Sequence, residues 1–341
     1  MTPPEWKRLG GFSAGVVLLH VAGFGLFVYY LPRNPALAGL ASLAYTFGLR
    51  HAFDADHIAA IDNTTRKLLQ DGKRPLGTGF FFSLGHSSIV FGLTAGLAIA
   101  AKSVNSRIPS LQAYGSTVGA SVSGTFLLVI GLLNLLVLLE IVGVFRRMKS
   151  GTYRHEDLES ALVKQGFLSR VLLKRLGSKI DASWKMYPLG LLFGLGFDTA
   201  TEIGLLAVAA GVATHHVPFL AVISLPLIFA AGMSLMDTAD GAFMCHAYGW
   251  AFSSPVRKVF YNITVTSLSV AVAWMVGGIE LLQVLAAKLS LHGGLWRFLE
   301  SIDLGELGYI VVALFAATWL VSLAVWKTRR IEQRWAPTNS A

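Results

Sequence analysis

Eight apolar runs, at residues 11–31, 37–61, 76–101, 118–145, 188–213, 218–248, 259–287 and 305–326, set the terms on which this 341-residue chain can fold. Each is long enough to cross the ~30 Å of a bilayer's hydrocarbon at ~1.5 Å per helical residue. Hydrocarbon offers no partner to a backbone N–H or C=O, and a helix satisfies these groups within itself. The expected fold class is therefore all-α, a polytopic membrane protein with eight transmembrane helices. With 54% hydrophobic and only 14% charged residues, the chain holds more apolar side chains than one soluble core would use. Lys7 and Arg8 before the first run, and Ala36-Leu37-Ala38 after it, outline a secretory signal. Its apolar core is longer than the ~7–15 residues of a signal peptide, so it is read as a retained span.

Lys and Arg fix the expected orientation. Twenty-two lie in the two termini and after runs 2, 4 and 6, against 5 after runs 1, 3, 5 and 7. Basic residues are retained on the cytoplasmic side, which places both termini there. That placement also accounts for the net charge of +9 without a nucleic-acid partner, since the basic residues lie between spans rather than on a separate domain. Residues 146–187 mix both charge signs around an amphipathic stretch near 158–176, and read as a cytoplasmic linker. It would join a half of four helices at 1–145 to a second half of four at 188–341. The single cysteine, Cys245, excludes an intramolecular disulfide and any CxxC metal motif.

Ionisable residues inside such spans are functional candidates by default. Run 2 carries Arg50-His51-Ala52-Phe53-Asp54-Ala55-Asp56-His57-Ile58. At about 100° per residue, His51, Asp54 and His57 share one helical face. Asp56 points elsewhere, toward a second helix, an exit path or Arg50, unless the helix unwinds there as broken helices do in transporters. Arg50 stands at i, i+4 to Asp54 and is expected to pair with it. Run 3 adds His86, run 5 adds Asp198 and Glu202 at i, i+4, and run 6 adds Asp237 and Asp240 at i, i+3. Asp-Thr-Ala recurs at 198–200 and 237–239, a hint of duplication. His20, His51, His86, Asp198 and Asp237 each lie about ten residues, or ~15 Å, from the cytoplasmic end of their run, close to the bilayer midplane.

Six carboxylates in runs 2, 5 and 6 cost ~2.5–3.5 kcal/mol each on insertion scales, roughly 15–20 kcal/mol together. Arg50 cannot neutralise six, so a bound cation, protonation or water must offset them. Carboxylates together with imidazoles make the donor set of a first-row divalent metal. His20 taken alone reads as readily as a hydrogen-bonded packing residue. Glu140 and Glu280 near run ends are expected at the interface, and His215, His216, His246 and His292 in loops or at interfaces.

These segments resemble the nickel/cobalt transporter family, the single-subunit permeases for Ni²⁺ and Co²⁺. The match comprises the HxxxxDH signature as His51 to Asp56-His57, Leu84-Gly85-His86-Ser87-Ser88, Leu195-Gly196-Phe197-Asp198-Thr199-Ala200-Thr201-Glu202-Ile203, and Gly232-Met233-Ser234-Leu235-Met236-Asp237-Thr238-Ala239-Asp240. The order of these segments, the eight-span plan and the long loop after run 4 fit as well. The resemblance implies high-affinity, low-capacity import across the cytoplasmic membrane. It implies His51, Asp54, Asp56 and His57 as the main metal-handling residues, with His86, Asp198, Glu202, Asp237 and Asp240 in support. Phe53, where other members have Val, together with His20, resembles members that accept cobalt as well as nickel.

The expected function is secondary uptake of Ni²⁺, Co²⁺ or both, with the ion as cargo rather than cofactor. No Walker sequence is present, so neither nucleotide hydrolysis nor an obligate ATPase subunit is expected. The alternatives are a related metal exporter and, further off, a membrane metallohydrolase. An exporter of that kind often carries a His-rich loop, whereas 146–187 holds His155 alone; a hydrolase lacks its HExxH.

Overall fold

The computed structural model describes residues 2–33, 39–104, 108–149, 180–195, 218–251 and 255–328. Among these residues there are ten α-helices and no strand: α1 (Pro3–Tyr30), α2 (Leu40–His51), α3 (Ala55–Gln70), α4 (Thr78–Val104), α5 (Ile108–Lys149), α6 (Met186–Gly194), α7 (Phe219–Ala251), α8 (Pro255–Leu289), α9 (Gly294–Glu300) and α10 (Leu304–Thr328). Five stretches among the described residues are long and apolar enough to cross a membrane: Pro3–Arg33, Thr117–Gly143, Phe219–Gly249, Ile263–Leu289 and Leu304–Thr328. The chain is thus an all-helical, multi-pass membrane protein. Its outer helices turn large apolar side chains outward, among them Val17, Leu18, Val21 and Val28 on α1 and Ile310, Leu320 and Val321 on α10. In water such faces would be a liability; in lipid they are the expected surface. Of the expected linker, residues 150–179 lie outside the described residues, and α5 continues through Arg146 to Lys149.

The second apolar run is two helices, not one. α2 ends at His51, α3 begins at Ala55, and Asp54 stands at the α3 N-cap with an extended backbone (φ −62°, ψ 141°). Phe53 and Asp54 donate their N–H groups to the carbonyls of Arg50 and His51, at 2.9 and 3.0 Å, in tight turns that replace the helical ladder. The carbonyl of Phe53 lies where a Cβ on Gly308 would sit, so only glycine on α10 lets the two backbones approach at the break.

α3 is the centre of the molecule. Thirteen of its 16 residues are buried, packed by α5, α7, α8 and α10. Arg66 and Lys67, expected in the loop after run 2, lie instead within α3, at 0% and 5% exposure. Removing both from the loop leaves the asymmetry of basic residues intact. α4 crosses α7 at Gly79, where an added Cβ would strike the carbonyl of Asp237 and come within 3.1 Å of the Thr238 nitrogen. This close crossing sets the distance between His86 on α4 and Asp237 on α7.

Candidate metal centre

His51 at the end of α2, His57 in the first turn of α3 and His86 on α4 form a triangle of imidazoles. Ring centroids are 4.5 Å apart for His51 and His57, 4.6 Å for His51 and His86, and 4.8 Å for His57 and His86. One nitrogen from each can be chosen so that all three lie within 4.8 Å of one another, and all three residues are buried. Phe82 beside His57 (4.8 Å) and Phe229 beside His51 (5.8 Å) wall the triangle. A continuous helix would have carried His51 and His57 a full turn and a half along one axis; the break folds them toward each other.

Asp54 orients His51. Its Oδ2 lies 2.7 Å from Nδ1 of His51, so the Nδ1 proton faces the carboxylate and the Nε2 lone pair faces inward. This carboxylate–histidine arrangement raises ligand basicity and fixes the ring. Nε2 of His51 is 2.9 Å from Nε2 of His86. Two nitrogens bound at right angles to one ion, with bonds of ~2.05 Å, would be about 2.9 Å apart. The same separation is that of an imidazole–imidazole hydrogen bond, and a cation held here would take the place of the shared proton. The C-terminal end of α2, with its partial negative charge, also points at this spot.

Asp237 completes the cluster from α7. It is 1% exposed, its Oδ2 is 3.4 Å from Nδ1 of His57, and neither carboxylate oxygen has a hydrogen-bond partner among the described residues. A buried carboxylate left in that state is costly, and a cation among the imidazoles would supply what it lacks.

Other sequence candidates go elsewhere. Asp56 turns away from the triangle: Oδ1 accepts from the His57 backbone N–H at 2.9 Å, and Oδ2 lies 3.5 Å from the Ser123 hydroxyl on α5. His20 places Nδ1 2.8 Å from the Val16 carbonyl and Nε2 3.1 Å from the Tyr45 hydroxyl, so both ring nitrogens are engaged away from the triangle. Asp240 lies one turn beyond Asp237 on α7. Asp198 and Glu202 lie outside the described residues, as do His215 and His216. Arg50 pairs with Asp303 at 3.5 Å rather than with Asp54, because the break swings Asp54 off the α2 face toward His51. Glu280, expected at the interface, is 2% exposed and accepts from Ser123 at 2.8 and 2.9 Å.

The sequence reading missed a second polar cluster on α3. Asp62 and Arg66 are both 0% exposed and form an ion pair at 3.2 Å. Six polar residues in succession, Asp62 to Lys67, read as the end of a span. The one signal of continuing helix was the Asp-to-Arg spacing of i, i+4.

The family described as high-affinity nickel-transport protein matches residues 37–325. The nickel transporter NicT of Mycobacterium tuberculosis is 51% identical, the match covering 99% of this chain and 93% of that protein. The nickel transporter NixA of Staphylococcus aureus is 49% identical over 95% of this chain and 96% of its own length. The cobalt transport protein NhlF of Rhodococcus rhodochrous is 42% identical over 94% and 93%. No solved structure matches the chain.

Proposed function

The chain belongs to the high-affinity nickel-transport family, a family of transporters rather than enzymes, and from that premise we propose that it imports Ni²⁺, with Co²⁺ as a second cargo, across the cytoplasmic membrane. The observation that carries the reading is the buried His51–His57–His86 triangle at a helix break. Imidazole suits a first-row metal such as nickel, and broken helices are where transporters build midplane ion sites. Asp237 is the fourth donor in this reading, Asp54 the group that orients His51, and Asp56 and Asp240 line the approach and the exit. Asp198, Glu202 and His20 remain candidates from the sequence pattern. In this reading the eight apolar runs are eight spans in two halves, and the distribution of basic residues supports both termini on the cytoplasmic side. A divalent ion moving inward through 100 mV gains about 4.6 kcal/mol, enough to drive accumulation without a nucleotide-hydrolysing partner.

Cells expressing the chain or its His57→Ala variant, challenged with trace Ni, Co, Mn and Zn together, provide the test by elemental analysis. Selective accumulation of Ni or Co, lost in the variant, is expected. Equal metal content in both, with normal membrane expression, refutes import and returns the question to the exporter and metalloenzyme alternatives.

A further inference from the structure

Beyond the histidine triangle, toward the C-terminal end of α3, the buried polar groups do not stop. Thr64 Oγ1 on α3 and Thr238 Oγ1 and Asp240 Oδ2 on α7 are enclosed, with no hydrogen-bond partner among the described residues. Asp240 follows Asp237 by one turn on α7, and Asp62 follows His57 by five residues on α3, so carboxylates continue along both helices past the triangle. On α3 they end at a guanidinium. Arg66 Nη2 lies 3.2 Å from each Asp62 oxygen and donates to Tyr248 Oη at 2.9 Å and to the Ser269 hydroxyl. Nη1 donates to Thr266 at 3.2 Å. Asp62 also accepts from Ser269 at 2.6 Å and from Tyr248, and the guanidinium lies 4.5 Å over the Tyr248 ring.

We propose that Asp62 and Arg66 are the inner gate of the transport path. Held by Tyr248 on α7 and by Thr266 and Ser269 on α8, the guanidinium closes the exit from the triangle, and its release frees the Asp62 carboxylate to receive the departing divalent cation. The inference rests on the import reading and its orientation, which make the C-terminal end of α3 the cytoplasmic side. Three features separate a gate from a staple. A buried ion pair contributes little net stability over apolar side chains of similar volume, so stability alone is a poor reason for the pair. The further partners lie on α7 and α8, helices that pack mainly on different neighbours, α7 on α4, α1 and α2 and α8 on α5, so movement of one group against the other would break these contacts. Finally, a fixed positive charge is the simplest barrier to a dication, and the carboxylate beneath it is the ligand type that could accept one.

The test uses the full chain in proteoliposomes, with Cys245→Ser and Thr64→Cys placing a thiol on the fully buried turn of α3 between Asp62 and Arg66. Tyr248→Phe and Ser269→Ala each remove one hydroxyl tether while keeping both charges. Both are expected to raise the rate at which a charged thiol reagent on the cytoplasmic side labels the position-64 thiol, by fivefold or more. The Kd for Ni²⁺, measured by calorimetry, should stay within twofold of the parent. Unchanged labelling in both variants overturns the gate. If the variants do not insert, the Thr64→Cys chain alone decides: saturating Ni²⁺ should speed labelling at least threefold, and no change overturns the proposal. Failure of the parent to bind Ni²⁺ at all would instead refute the import reading.

Discussion

Replacing Gly79 by alanine tests whether the α4–α7 crossing sets the metal geometry. The new Cβ would fall on the Asp237 carbonyl and within 3.1 Å of the Thr238 nitrogen. Both are backbone atoms in a helix, so no side-chain rotation relieves the clash and α4 and α7 must part by about 1 Å. Overpacking of this kind costs typically ~1–3 kcal/mol. Its functional effect is larger, because His86 rides on α4 and Asp237 on α7, whereas metal–ligand distances tolerate about 0.2 Å. A misplacement of ~1 Å is enough for a ~100-fold loss, about 2.7 kcal/mol. Initial rates of Ni²⁺ uptake at subsaturating metal, normalised to membrane-inserted protein, should fall by that order in Gly79→Ala. Gly92→Ala, on the same helix with nothing within 4 Å of its Cβ, should transport as the parent does. Parental uptake in Gly79→Ala would refute the link between this crossing and the site.

Asp54→Asn keeps the size of the side chain but removes the negative charge that holds the His51 Nδ1 proton. Concentration-dependent uptake should show a KM raised ~10–100-fold, with the rate recovering at high Ni²⁺, and an unchanged KM would remove Asp54 from the orienting role. Phe53→Val should shift the Co²⁺/Ni²⁺ uptake ratio toward nickel. The Phe53 ring stacks on Tyr309 of α10 with centroids 5.4 Å apart, so the effect would travel through the seating of the helix break; an equal ratio in both chains would deny it.

Much of this protein is legible one residue at a time. The apolar runs dictate helices because hydrocarbon leaves a backbone no other way to satisfy its hydrogen bonds, and α1, α7, α8 and α10 follow those runs closely. The donor types were equally plain, since His51, His57, His86 and Asp237 are groups that a membrane span does not carry without cause. Hidden from the sequence were the partners. Asp54 to His51, Arg50 to Asp303, Asp56 to Ser123, Arg66 to Tyr248 and Arg66 to Ser269 are five contacts, of which all but the first join residues far apart in the chain. The polar run from Asp62 to Lys67 looked like a loop because isolated polarity argues for water. It is helix because neighbouring helices supply the partners that water would have supplied, Tyr248 of α7 and Ser269 of α8 to Asp62 and Arg66, Asn134 of α5 to Asn63 and Thr78 of α4 to Thr65. The sequence by itself determined that these helices sit in lipid and which side chains needed a reason to be there. Tertiary structure decided which of those side chains meet, because the break at Ala52–Asp54 and the glycine crossings fix distances to tenths of an ångström, and helical periodicity gives only the direction in which each residue points.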